Sequence, residues 1–117
     1  ADYKPVNPAN QKIKKTNDHL NIELTKTVDI LEASPSNIIK VGFSAESENL
    51  IANATDKITK KSLDLIVAND ITDPDSGFGV DTNKVVLIDR EHHVDELPVM
   101  PKYQVSHHIL DRVASLL

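Results

Sequence analysis

A chain of 117 residues with 39% hydrophobic and only 3% aromatic side chains is at most one domain's worth of protein. Its formal charge of -5, from 13 basic against 18 acidic residues, argues against bulk nucleic-acid binding, which needs excess cation to displace counterions. No apolar run approaches the roughly 20 residues of a membrane span, no basic-then-apolar leader opens the chain, and zero cysteines exclude disulfides, thiolate nucleophiles and cysteine zinc sites.

The expectation is a soluble, cytoplasmic protein with no membrane or nucleic-acid partner. Charge is unevenly spread: residues 1–61 hold nine lysines against eight acids, and residues 62–117 four basic against ten acidic side chains. An anionic ligand should favour the first half.

The opening stretch, with Pro5, Asn7, Pro8 and Asn10, reads as loop, because each proline disfavours helix before it. It has no initiator Met, and further sequence is expected ahead of Ala1. Residues 20–25 alternate apolar and polar side chains, the period of a strand with one buried face. A short helix is predicted over 27–33. Ile38, Ile39, Val41 and Phe43 then form a compact apolar run, read as a central strand covered on both faces.

Residues 46–61 have helical spacing, with Leu50, Ala54 and Ile58 four apart, Glu46 and Glu48 early, and Lys57, Lys60 and Lys61 late, as the helix dipole favours. Residues 63–69 make a second buried strand, so strand, helix and strand form a parallel βαβ unit. Residues 71–83, rich in aspartate with Pro74, Gly77 and Gly79, form a long loop of the kind that usually carries function. A strand over 84–89, a turn at 90–93, a short antiparallel return over 94–99 and a helix over 102–117 complete the chain.

In open α/β sheets ligands lie outside the carboxyl ends of the parallel strands. The candidates are therefore residues 42–46 and the segment from Asn69 to Asn83. Lys12, Lys14 and Lys15, three ammonium groups within four residues, suit a polyphosphate, although on spacing alone a solvated basic loop is the commoner explanation. Phe43 alone would more often be core than a platform for a base. Asp70 and Asp81 are oxygen ligands in principle, yet loop acids are usually just solvated. The pairs His92-His93 and His107-His108 lack the i, i+4 spacing of a helical metal site, and Asn53-Ala54-Thr55 is a chance sequon inside a predicted helix.

Five ordered blocks carry a resemblance: Asp2-Tyr3-Lys4-Pro5; Lys12-Ile13-Lys14-Lys15; Val41-Gly42-Phe43-Ser44-Ala45-Glu46-Ser47; Lys61 through Asp70; and Gly77-Phe78 with Asp81 and Asn83. The chain resembles, over nearly all its length, the carboxyl-terminal half of bacterial phosphopantothenate-cysteine ligase, a domain often fused to a decarboxylase in coenzyme A synthesis. Ser44 and Ser47 stand where many members carry Ala and Thr. The family's amino-terminal half, with its glycine-rich loop, is not within these residues.

The resemblance implies an α/β fold, the carboxyl-terminal half of a Rossmann-like or ribokinase-like three-layer architecture. It implies a parallel βαβ core with an antiparallel hairpin extension, and a mobile flap over 10–19. The implied activity is ligation of cysteine to 4'-phosphopantothenate, driven by CTP through an acyl-cytidylate, with Mg²⁺ accompanying the nucleotide. FMN is implied only where a decarboxylase is fused upstream, and a homodimer is implied as the assembly. Lys12 matches the catalytic lysine. Asp2, Lys12, Val28, Asp29, Ile30, Leu31, Phe43, Lys57 and Lys61 match nucleotide-contacting positions, and Asn69 matches a substrate-binding asparagine. No metal ligands are assigned. Lys57 and Lys61 conflict with the residue-level reading, because the carboxyl end of the helix should lie away from the ligand rim. On its own the chain is expected to be inactive; the alternatives are a non-catalytic nucleotide-binding module and a dimerisation module.

Overall fold

The computed structural model describes residues 1–14, 19–76 and 79–117. It falls into two compact units, Ala1–Ala33 and Ser34–Leu117.

In the first unit, β1 (Tyr3–Pro5) pairs antiparallel with β2 (Leu24–Lys26), Lys4 opposite Thr25. Val6 N–H to Glu23 O at 3.0 Å and Thr27 N–H to Asp2 O at 2.9 Å extend the ribbon by one bond at each end. Helix α1 (Ile30–Ala33) is a single turn that starts after Asp29, whose Oδ1 accepts Glu32 N–H at 3.2 Å. It thus begins three residues later than the sequence pattern suggests. Nor does the alternation over 20–25 produce a half-buried strand: only its end is extended, and no described residue of Ala1–Ala33 is buried. A two-stranded ribbon offers no second layer to cover an apolar face. Tyr3 to Pro5, read as loop, is strand because the proline sits on a ribbon edge where its missing N–H costs nothing. The expected flap over 10–19 lies partly outside the described residues, which omit 15–18.

The second unit is a four-stranded sheet with order β3-β4-β6-β7. Strand β3 (Val41–Glu46) runs parallel to β4 (Leu65–Asp70) through helix α2 (Leu50–Lys61), the expected βαβ unit. Strand β6 (Val85–Asp89) pairs antiparallel with β4, and β7 (Val94–Glu96) antiparallel with β6. Strand β5 (Thr82–Asn83) pairs with β8 (Met100–Pro101), which leads directly into α3 (Lys102–Ala114).

Side-chain alternation divides the core into two layers. Leu65, Val67, Val85 and Leu87 share one face with Leu97 and with Val105 of α3. The intervening Ile66, Ala68, Val86 and Ile88 point to the opposite face, where α2 contributes Ala54 and Ile58. The result is a partial three-layer α/β fold: α2, sheet, α3. Strand β4 is buried on both faces, as its continuous apolar run requires.

Strand β3 differs from the sequence expectation. It starts at Val41, is an edge strand rather than a central one, and leaves Phe43 73% exposed. No described strand lies along its outer side. Glu46 ends this strand instead of opening the helix; α2 begins after Asn49, whose φ of 47° turns the chain into it. Gly42 faces α2, and a Cβ there would come within 2.6 Å of Leu63 Cδ1.

At the amino end of β4 the sheet is clasped by ion pairs. Asp89, 5% exposed, receives Arg112 of α3 at 2.8 Å, the ring Nδ1 of His93 at 3.0 Å and the backbone N–H of His93 at 2.9 Å. Asp64 pairs with Arg90 and accepts Lys40 N–H at 2.8 Å. Burial pushes the Asp89 carboxyl upward, but the His93 and Arg112 donors outweigh it and hold it below its ordinary value.

Two stability outcomes follow from these contacts. Gly42→Ala is expected to cost roughly 1–3 kcal/mol, because Leu63 must leave its packed position, and chemical denaturation measures it. Asp89→Ala is expected to cost about 2 kcal/mol, less than a fully buried pair because Arg112 is partly solvated. Since Asp89 binds its proton less readily folded than unfolded, its contribution is complete above the ordinary carboxylate range and disappears as pH falls through the depressed folded value. Melting curves against pH should therefore show a smaller acid-induced loss for Asp89→Ala than for the unsubstituted protein.

Candidate functional site

The carboxyl ends of β3 and β4 open onto a cleft of about 310 Å³, lined by Phe43, Ser44, Ala45, Val67, Asn69, Asn83, Val85 and Val105. Register explains its floor. Ala45, Asn69 and Val85 stand side by side across three strands, and Phe43 and Val67 form the next rung. All of these side chains project to the α3 face, and Val105 of that helix makes a wall. The floor is apolar, and the polar groups are neutral amides.

Those amides are held from behind. Ser76, 7% exposed, comes from the loop after β4, and its Oγ lies 2.8 Å from Asn69 Oδ1 and 2.8 Å from Asn83 Oδ1. The same oxygen accepts Lys84 N–H at 3.1 Å. The loop is itself braced. Asp70 Oδ1 accepts the Thr72 N–H at 3.0 Å and hydroxyl at 2.6 Å, Asp73 Oδ1 accepts Asp75 N–H at 3.0 Å, and the Thr82 hydroxyl donates to Asp75 O at 2.7 Å. The Thr72 donors hold the Asp70 carboxyl below its ordinary value.

On the opposite face of the same rim, Glu46 is 6% exposed and pairs with Lys57 of α2. Asn53 Nδ2 also reaches Glu46 Oε2, at 3.4 Å. Burial raises the Glu46 carboxyl, but Lys57 and the neighbouring hydrogen bonds more than reverse that, and it stays below its ordinary value. The helical position of Lys57 suggested a charge far from the rim, yet its flexible stem carries the ammonium back to the end of β3.

The structure brings together Phe43 and Asn69 and adds Asn83 to them. It places Lys57 on the α2 face, not in that cleft, and Lys61 in the last turn of α2. Asp2, Lys12, Val28, Asp29, Ile30 and Leu31 all belong to Ala1–Ala33, where Lys12 is exposed. Gly77 and Phe78 lie outside the described residues. Ser76 lies within the candidate segment from Asn69 to Asn83, but sequence reasoning did not single it out; its only signal was a small hydroxyl residue among aspartates. It also assigned Glu46 to the helix dipole rather than to Lys57.

Among the described residues, Asp89, Glu91 and His93 bring ligand-type atoms within 4.8 Å of one another. This trio is at the far end of the sheet from the cleft, and the Asp89 charge is already matched by Arg112. No described helix is long and apolar enough to cross a membrane.

The family of the DNA/pantothenate metabolism flavoprotein C-terminal domain matches residues 1–117, the whole chain. The chain belongs to that family. Members with similar sequence include the coenzyme A biosynthesis bifunctional protein CoaBC of Bacillus subtilis (strain 168), 41% identical over 99% of this chain and 29% of the relative. The protein of the same name from Borreliella burgdorferi is 41% identical over 94% of this chain and 28% of its own length. The flavoprotein C-terminal domain chain thus spans under a third of those relatives. A crystal structure of the C-terminal domain of a CoaBC protein superposes with a TM-score of 0.68 at 33% identity, covering 81% of this chain and 44% of the other. The DNA/pantothenate metabolism flavoprotein of Streptococcus pneumoniae, at 20% identity and a TM-score of 0.69, shares the fold.

Because Phe43 is exposed at the cleft mouth, Phe43→Ala should change folding stability by less than about 0.5 kcal/mol, as surface substitutions do. A denaturation midpoint lowered by an amount typical of a core aromatic would show that the side chain packs inside.

Proposed function

We propose that this chain is the carboxyl-terminal part of a phosphopantothenate-cysteine ligase. The carboxylate of 4'-phosphopantothenate attacks the α-phosphorus of CTP; an oxygen–phosphorus bond forms and pyrophosphate leaves. The cysteine amine then attacks the acyl carbon, the carbon–nitrogen bond forms, CMP leaves with the oxygen, and the amine proton passes to solvent. The observation that carries this reading is the cleft of Phe43, Asn69 and Asn83 at the carboxyl ends of two parallel strands, in a chain similar throughout to coenzyme A biosynthesis proteins.

The chemistry is chiefly positioning and neutralisation of charge. Asn69 holds the pantothenoyl substrate, and Phe43 stacks on the nucleotide base. Lys12 is the catalytic lysine: its ammonium offsets negative charge that grows at the phosphorus as the acyl nucleotide forms and is consumed. Asp2, Val28, Asp29, Ile30, Leu31, Lys57 and Lys61 are further nucleotide contacts, those of Lys57 depending on exchange of its Glu46 partner. The described cleft lining contains no carboxylate, so it is not a cage for Mg²⁺. That ion would enter with the nucleotide substrate and would supply charge neutralisation at its phosphates. FMN would accompany the protein only where a decarboxylase domain is fused upstream. The assembly is a homodimer, to which the exposed Leu20, Ile22 and Leu24 are suited.

The test is amide formation by the full-length protein from phosphopantothenate, cysteine and CTP, with ATP in parallel; no product with either nucleotide overturns the proposal. In that protein Lys12→Gln should lower turnover by about 3 kcal/mol, with acyl nucleotide accumulating. An unchanged single-turnover rate would remove its catalytic role. Phe43→Ala should weaken CTP binding more than pantothenate binding, as equilibrium titration of each would show.

A further inference from the structure

The ion pair between Glu46 and Lys57 joins a partner that cannot move to one that can. Glu46 is 6% exposed and is the last residue of β3. It stands opposite Asp70 in the parallel register, and its backbone carbonyl accepts Ile71 N–H at 3.1 Å, so its place is fixed by the sheet. Lys57 carries its ammonium on a flexible stem, and its side chain is 41% exposed. Among the described residues, the other donors at this carboxylate are the Asn53 amide, 3.4 Å from Oε2, and the Ser44 hydroxyl. Ser44 precedes Glu46 by two residues, so the pleat sends both side chains to the α2 face. Ser44 Oγ is buried without a well-formed hydrogen bond. Burial raises the Glu46 carboxyl, and Ser44 is nonetheless among the donors, after Lys57, that outweigh it. A buried hydroxyl that lacks a full partner gains by moving onto a carboxylate oxygen once the ammonium is gone.

We propose that Glu46 is a positioning residue that holds Lys57 at the carboxyl end of the sheet until a polyphosphate takes the ammonium, and that Ser44 and Asn53 then take over the carboxylate. The carboxylate and a phosphate oxygen are alternative acceptors for the same cation. A buried charge left with no partner would make the exchange prohibitive, whereas two neutral donors already beside it make the exchange possible. The contact thus sets how tightly the anion binds: Glu46 competes with it, and Ser44 weakens that competition. That the anion is the triphosphate of a nucleotide rests on the ligase reading; the hold of Glu46 on Lys57 does not.

The experiment uses the full-length protein with inorganic tripolyphosphate as probe, titrated calorimetrically. Glu46→Gln should tighten binding about fivefold, the scale of a partly solvated ion pair. Ser44→Ala should weaken it about threefold, the scale of one hydrogen bond. The opposite signs separate this role from a merely structural one. If Glu46 acts through Lys57, Glu46→Gln should gain nothing in a Lys57→Gln background, and if Ser44 acts through Glu46, Ser44→Ala should cost nothing in a Glu46→Gln background. Absent, unchanged or weakened binding in Glu46→Gln overturns the proposal. So does a gain that persists without Lys57, which is a general effect of charge, or a Ser44→Ala loss that persists without the Glu46 carboxylate, which is direct contact from the cleft lining. Acylation of the Lys57 amine, read by mass spectrometry with no ligand present, should rise about threefold in Glu46→Gln as the amine loses its counter-ion. An unchanged rate overturns the inference, and this measurement decides if Lys57→Gln does not fold. Absence of amide product from phosphopantothenate, cysteine and nucleotide, with these differences in tripolyphosphate binding present, would sink the ligase reading and leave the roles of Glu46 and Ser44 standing.

Discussion

Burial of β4 is the constraint on which the second unit depends. Leu65, Ile66, Val67 and Ala68 are all buried, with β3 on one side, β6 on the other, and a helix over each face. A strand so enclosed has no freedom of register, because a slip of one residue would exchange the side chains meant for α2 with those meant for α3. Fixing β4 fixes its last residues as well. Asn69 therefore emerges beside Ala45 and Val85 with its amide on the α3 face, and the loop that follows must turn back over it. The position of the polar groups in the cleft is a consequence of packing several residues earlier.

The cleft and the ion pairs occupy opposite ends of this sheet. At one end neutral amides and a hydroxyl surround an apolar floor; at the other Asp64, Arg90, Asp89 and Arg112 join turns and helix to strands. The division suits both tasks. Ion pairs tolerate partial solvation and hold elements that come from distant parts of the chain, whereas fixed amide dipoles keep their orientation as a ligand's charge changes. Glu46 and Lys57 are the exception: a charged pair at the cleft's rim, but on the far face of the sheet.

Much of the second unit was legible because its elements obey simple periodicities. The four-residue spacing of Leu50, Ala54 and Ile58, the continuous apolar run of β4 and the turn before β7 each became the element expected of them. Elements that were misread depend on partners far away in the chain. Strand β3 has the composition of an enclosed strand, yet neighbours are a property of topology and not of composition. Tyr3 to Pro5 is extended because it meets residues 24–26, and β5 exists because Asn83 meets Met100. The cleft was half legible: the rim rule located Phe43 and Asn69, but Ser76 gains meaning only when two asparagines fourteen residues apart converge on it. Lys57 shows the opposite error, since a helix position was used as a proxy for the whereabouts of a charge on a long stem.

The outer side of β3 has a further consequence. An edge strand with no described strand on its outer side, and with a solvated phenylalanine in its middle, is a template that accepts an incoming strand from whichever polypeptide is nearest. Handled at high concentration apart from any longer protein, these 117 residues would be prone to growth by edge-to-edge addition, and a lysine or proline set into that margin would be the natural way to keep them dispersed.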